Sequence, residues 1–209
     1  MRNGDIGLMV LLGVGLLLWA NPSIASLSFG PAASDQGSGT PDSATPGPAD
    51  NYSSGSIDMT DPTTQAQISA MLATIRQFES NDDYTILYGG GHFSDFSHHP
   101  DIKVPITIGQ YAGEYSTAAG AYQINFPTYN QFAPGLGITD FSPASQDALG
   151  LAILADTGAL DSLASGDIQG AFQLASSRWA SLPGSTAGQN PQSLQTALDT
   201  FASNGGVVA

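Results

Sequence analysis

Residues 68–80 read ISAMLATIRQFES, and the spacing within them sets how the rest of the chain is read. Ile68, Met71, Leu72, Ile75 and Phe78 recur at intervals of three and four, which lines them up on one face of an α-helix that packs on a core. The helix ends on a carboxylate, Glu79. Ser80, Asn81, Asp82 and Asp83 follow, residue types that favour caps and turns over helix interiors, so Glu79 falls in the last turn beside the apolar stripe. Negative charge at a helix C-terminus opposes the macrodipole, and burial next to Phe78 disfavours the ionised form; both push the Glu79 pKa upward. A glutamate that keeps its proton near neutral pH is a general acid. Position alone also fits an ordinary solvated helix end, which is the commoner case.

Composition singles out the same residue. The 209-residue chain has 18 acidic side chains, yet only Glu79 and Glu114 are glutamates; the rest are aspartate. Four basic residues leave a formal charge of −14, which excludes nucleic-acid binding through phosphate contacts, since that affinity comes from Lys and Arg. The same balance disfavours simple electrostatic adhesion to an anionic surface. With no cysteine, zinc–thiolate sites, a thiol nucleophile and disulfides are excluded together.

Outward from the helix, the chain divides into three parts. Residues 6–20, IGLMVLLGVGLLLWA, are uncharged, mostly apolar, and lead into Ser23-Ile24-Ala25, a small-x-small site of the kind signal peptidase cuts. A signal peptide over 1–25 is the preferred reading and an uncleaved signal anchor the second, so any membrane contact belongs to this segment alone. Residues 26–64 are rich in Gly, Pro, Ser, Thr, Asp and Ala and cannot bury enough apolar surface to offset their ordering entropy, which makes them a flexible linker. Residues 65–209 form the folded domain, expected as a monomer, with its first helix opened by Asp61 as cap and Pro62 at the first position. Tyr84–Tyr88 reads as a strand, Gly89–Gly91 as a turn and His92-Phe93 as the partner's start; 103–108 adds another extended piece. Helices are expected from Ser142-Pro143, from Asp167 and from Asn190-Pro191. The fold class is α+β: mainly helical, with a small antiparallel sheet near the first helix's C-terminus.

Three groups of residues invite chemistry. In TAAGAYQI, residues 117–124, Gly120 and the flanking alanines let a backbone approach an extended ligand, while Tyr122 and Gln123 offer a flat ring and an amide suited to sugar hydroxyls and N-acetyl groups; a small-residue packing corner is the alternative. His92, His98 and His99 lie near Asp95 and Asp101, but two adjacent histidines before Pro100 lack metal-ligand spacing, so no metal site is assigned. No G-x-S-x-G elbow supports Ser-His-Asp hydrolysis. Trp179, in SSRWASLPG, reads as a core cap in preference to a sugar platform.

In order along the chain, FES (78–80), GGGHFSDFSHHP (89–100), TAAGAYQI (117–124), ITDFSPASQDALGL (138–151), GALDSLASGDIQGAF (158–172) and SSRWASLPG (176–184) resemble the bacteriophage lambda endolysin family across about residues 66–206. The resemblance implies a lysozyme-like domain that cleaves peptidoglycan glycan strands as a lytic transglycosylase, without metal or cofactor. It implies Glu79 as the single catalytic residue, acid first and base second, with Ser80, Gly120, Tyr122 and Gln123 as substrate contacts. Two alternatives stand beside it: a hydrolytic lysozyme in which Glu114 or Asp95 is a second carboxylate, and a glycan-binding module of an envelope or virion machine without turnover. The segment at 6–20 would deliver the domain to the periplasm or cell envelope, released or anchored.

Overall fold

The computed structural model describes residues 57–208, apart from 108, 110, 188 and 189. The apolar run at 6–20, the cleavage site and the linker up to residue 56 lie outside the described residues. The compact unit begins at Asp58. Among the described residues no helix is long and apolar enough to cross a membrane.

Helix α1 runs from Pro62 to Ser80 and takes in the last residues that composition assigns to the linker. The local reason is its cap: the Asp61 carboxylate accepts the Thr64 N–H at 2.7 Å and the Thr64 hydroxyl at 2.9 Å, and Pro62 supplies a pre-set φ where no N–H is needed. At the other end Asn81 adopts the left-handed conformation, φ 55°, and its N–H bonds the Gln77 carbonyl at 3.1 Å. Ile68, Met71, Leu72 and Ile75 are buried as the stripe requires, whereas Phe78 is half-buried. The Gln67 amide, also buried, clasps the chain's far end by donating to the Val207 carbonyl at 2.9 Å and accepting its N–H at 2.8 Å.

The domain is mainly helical with a small antiparallel sheet. Strand β1, Val104–Pro105, pairs with β2, Tyr115–Ser116, matching Val104 to Ser116 and Pro105 to Tyr115. The strand expected at Tyr84–Tyr88 does not form a ladder. Gly89 and Gly90 take φ of 79° and 92°, the chain closes into a 3-10 turn at Tyr88–Gly90, and only isolated bridges remain, Ile86 with His92 and Leu87 with Ala119. The first closes the local hairpin and the second joins it to the 117–124 loop.

The remaining helices are α2 (Phe126–Leu136), α3 (Pro143–Asp156), α4 (Ala159–Ala164), α5 (Ile168–Ala175) and α6 (Leu194–Ser203). The caps expected at Ser142 and Asp167 are present, their side chains accepting from Ser145 N–H and Gly170 N–H. The last helix starts later than Asn190-Pro191 suggests: Ser193 is its cap, accepting the Thr196 N–H at 3.1 Å. Helices α1, α3 and α5 pack on α4 around a core that includes Met71, Ile75, Leu149, Leu154, Leu163 and Phe172, with α6 closing one side through Phe201, edge-on to Phe172 at 6.1 Å.

Candidate active site

Glu79 sits in the last turn of α1. Its neighbour Ser80 is buried and its hydroxyl lies 2.9 Å from the Arg76 carbonyl and 2.9 Å from the Ala121 carbonyl, so the helix end is fastened to the 117–124 loop. On the other side stands the turn after α5. There the Ser181 hydroxyl donates to Glu79 Oε1 at 2.5 Å and the Ser181 N–H reaches the same oxygen at 3.4 Å. Loss of hydration pushes the Glu79 carboxyl up, and the two Ser181 hydrogen bonds oppose that push without cancelling it.

The loop beside Glu79 is braced from below. Gln146, fully buried on α3, accepts the Ala121 N–H on Oε1 at 2.8 Å and donates through Nε2 to the carbonyls of Tyr84 (3.0 Å) and Phe141 (2.8 Å). Gly120 fits over this amide: its φ is +72°, and a Cβ there would lie 2.0 Å from Gln146 Oε1. Tyr122 is buried, with its ring against Gly150 of α3, where any Cβ would meet the ring at 2.6 Å. Its hydroxyl donates to Asp147 at 2.8 Å and accepts from Arg76 at 2.9 Å. Tyr84 donates to the same Asp147 oxygen at 2.8 Å, and desolvation followed by that bond pushes its pKa up to about 12. Trp179 is buried as a core cap, its Nε1 donating to the Tyr122 carbonyl at 3.1 Å.

The structure thus brings Glu79, Ser80 and the 120–123 loop together. Ser80, Gly120 and Tyr122 have their polar groups and surfaces taken up by the protein's interior. Gln123 is half-exposed, with φ 47° and its Nε2 donating to the Gly120 carbonyl at 3.1 Å, and it borders a small surface depression with Asn125, Thr128 and Arg178.

The other two carboxylates differ from Glu79. Asp95 is exposed and accepts the Ser97 N–H at 2.8 Å, a bond that holds it below the usual carboxylate range. Glu114 lies in the turn between β1 and β2, where its carbonyl accepts the Ile106 N–H at 2.8 Å; its carboxylate has no hydrogen bond or ion pair among the described residues. The histidines go separate ways. His92 pairs with Asp83 at 2.9 Å, His98 meets the Ser97 hydroxyl at 2.8 Å, and His99 is buried among Phe126, Tyr129 and Phe141 with Nε2 2.8 Å from the Ile124 carbonyl. Nδ1 of His99 accepts the Asp101 N–H at 3.1 Å, so the ring is neutral, and burial pushes its pKa down. Among the described residues no three His, Cys, Asp or Glu side chains converge on a point.

The sequence alone assigns no role to Ser181, Gln146, Asp147 or Arg76. Ser181 lies within SSRWASLPG, two residues after Trp179, but a serine in a turn carries no signal of what it faces. Gln146 left one trace: an amide among the apolar residues of α3 calls for buried partners.

A single half-buried glutamate at a helix end, held between a serine turn and a small-residue loop in a mainly helical domain with minimal sheet, defines a lysozyme-like protein. Bacteriophage lambda lysozyme, solved in complex with a chitohexasaccharide, shares this fold with a TM-score of 0.63 at 33% identity, over 69% of this chain and 97% of that one. A second structure of lysozyme from bacteriophage lambda aligns with a TM-score of 0.60 at 32% identity. The family model described as Endolysin matches residues 66–208, so the chain belongs to the endolysin family. The endolysin of Escherichia phage lambda is 37% identical over 133 residues, 64% of this chain and 82% of the phage protein. That of Escherichia phage P2 is 37% identical over 118 residues, 56% of this chain and 72% of its own length.

Proposed function

We propose that the protein cleaves the β-1,4 bond between N-acetylmuramic acid and N-acetylglucosamine in peptidoglycan, as a lytic transglycosylase with Glu79 as acid and then base. The observation that carries the reading is the electrostatic setting of Glu79. Among the described carboxylates with displaced pKa values it alone is pushed up, while Asp58, Asp83, Asp95 and Asp140 are pulled down by hydrogen bonds to nearby N–H and hydroxyl groups. A carboxyl that holds its proton more tightly than an ordinary one is suited to protonate a glycosidic oxygen as an oxocarbenium-like state develops. Once ionised, the same carboxylate can take the proton of the muramic C6 hydroxyl as that oxygen closes on C1, giving a 1,6-anhydro ring. Endolysins as relatives, and a lambda lysozyme that accepts a chitohexasaccharide, support a glycan of N-acetylated hexosamines as substrate. Gln123 is the loop side chain open to such a strand. The glycan lies outside the cytoplasmic membrane, and the apolar segment at 6–20 would take the domain there.

The test has two parts. Glu79→Gln abolishes cleavage of purified peptidoglycan, a loss of at least ~10²-fold for a general acid. Mass spectrometry of the earliest wild-type products finds muramic ends lighter by one water than reducing ends. Reducing ends alone from the first moments of digestion would mean that water attacks C1, and the protein would be a hydrolytic lysozyme using Glu114 or Asp95. Intact peptidoglycan after prolonged incubation with wild-type protein would mean a binding module.

A further inference from the structure

The two oxygens of Glu79 are not equivalent. Oε1 takes both the Ser181 hydroxyl and the Ser181 N–H, while Oε2 has no hydrogen-bond partner among the described residues. Ser181 is itself held from several directions. Two residues before it, Trp179 is buried and tied to the Tyr122 carbonyl; immediately after it, Leu182 is fully buried and its N–H bonds the Trp179 carbonyl at 3.2 Å; the Ser181 carbonyl accepts the Gln192 N–H at 2.8 Å. The core therefore delivers this hydroxyl to Glu79 at a fixed place.

We propose that Ser181 is the positioning residue of the reaction: by occupying Oε1 it leaves Oε2 to the substrate, so that both proton transfers pass through that one oxygen. The proposal rests on the acid–base reading of Glu79. In the first step the Oε2 proton moves to the glycosidic oxygen as the C1–O bond breaks, and the bonding pair leaves with that oxygen. In the second, O6 bonds to C1 and its proton returns to Oε2, so no water is consumed and Glu79 ends as it began. The Ser181 proton stays on Ser181 throughout. Its hydrogen bond matters most between the two steps, when Glu79 is charged, because a bond to a carboxylate is stronger than one to a neutral acid. Burial alone would make Glu79 a reluctant proton donor; Ser181 limits that reluctance and also fixes the rotamer that presents Oε2.

The experiment uses Ser181→Ala, Ser181→Cys and Ser181→Thr in the full chain, with kcat and KM measured on soluble glycan-strand fragments across pH. Removing a donor to the ionised carboxylate raises the Glu79 pKa, so the alkaline limb of the kcat profile moves to higher pH in Ser181→Ala. At its new optimum that variant loses about tenfold in kcat, the order expected for a hydrogen bond to a charged group, with KM little changed. Ser181→Cys fills the volume with a weak donor and moves the limb the same way, which guards against a folding defect in the alanine variant. Ser181→Thr keeps the hydroxyl and restores both the limb and the rate. Lost activity in Ser181→Ala and Ser181→Cys with an unmoved limb, or wild-type behaviour of both, overturns the Ser181 role. Cleavage by Glu79→Gln would overturn the acid–base reading and the Ser181 role with it, so the two failures are told apart by different variants.

Discussion

Replacing Gln146 with leucine keeps the volume of a fully buried side chain and deletes the amide that holds the loop beside Glu79. The Ala121 N–H loses its acceptor at 2.8 Å, and the carbonyls of Tyr84 and Phe141 lose their donor at 3.0 and 2.8 Å. Each buried polar group left without a partner costs ~1–3 kcal/mol. Relaxation around the site holds the total to about 3–5 kcal/mol, in the upper tail for single substitutions. For a domain of this size a loss of that order lowers the melting temperature by about 6–20 °C. Urea titration followed by tryptophan fluorescence measures it: the midpoint falls at unchanged slope. The activity of the protein that remains folded also falls, because Gly120 and Ala121 rest on this amide and Ser80 in turn bonds the Ala121 carbonyl beside Glu79. A loss of less than about 1 kcal/mol, with wild-type turnover, would refute the assignment of Gln146 as the anchor of the loop.

Glu79→Gln also tests the electrostatics without reference to activity. The folded-state pKa of Glu79 is raised, so the stability associated with its protonated form is present below the unfolded-state value and is lost as pH rises through the folded-state value. Differential scanning calorimetry therefore finds the variant and wild type level in acid and the variant more stable at neutral pH, the gap opening above the ordinary carboxylate range. Wild type melting higher at neutral pH would contradict a desolvated carboxylate. Glu114→Gln bears on the number of carboxylates in the reaction: turnover falls modestly, because its carboxylate has no partner among the described residues and one residue can serve both transfers. Initial-rate assays that find it as inactive as Glu79→Gln would require a second essential carboxylate.

The parts of this protein legible in its sequence are those governed by near neighbours along the chain. The α1 stripe, the Asp61, Ser142 and Asp167 caps and the stop after Ser80 all follow from side chains within a few residues of the backbone groups they satisfy. Glu79 stands out on the same local grounds, by its place in the last turn beside an apolar stripe and by the scarcity of glutamate, but those grounds also fit an ordinary helix end, and its catalytic role is what the family resemblance implies. Helix α2 escaped this reading because Pro127, Pro134 and Gly135 break the usual helical signature, yet Pro127 sits in the first turn and Pro134 close enough to the end for the helix to accommodate both. The failed strand at Tyr84–Tyr88 has a non-local cause. Its backbone is shared: one bridge and the Phe93 N–H on the Thr85 carbonyl at 2.9 Å tie it to the hairpin mate, while the Tyr88 N–H goes to the Ala118 carbonyl at 2.9 Å and the Tyr84 carbonyl accepts from Gln146 of α3, so no regular ladder forms.

Tertiary structure alone decided which atoms surround the glutamate. Ser181 lies 102 residues from Glu79, and no periodicity or motif within either segment encodes a 2.5 Å hydrogen bond between them. The same holds for Tyr122, whose ring and hydroxyl suit a sugar on paper but are spent on Gly150, Arg76 and Asp147 once α1 and α3 close around it. A side chain's chemistry is written in its residue type. Whether that chemistry faces a ligand or the core depends on which distant segments pack against it, and burial of the α1 stripe settles that packing only when the whole domain has folded.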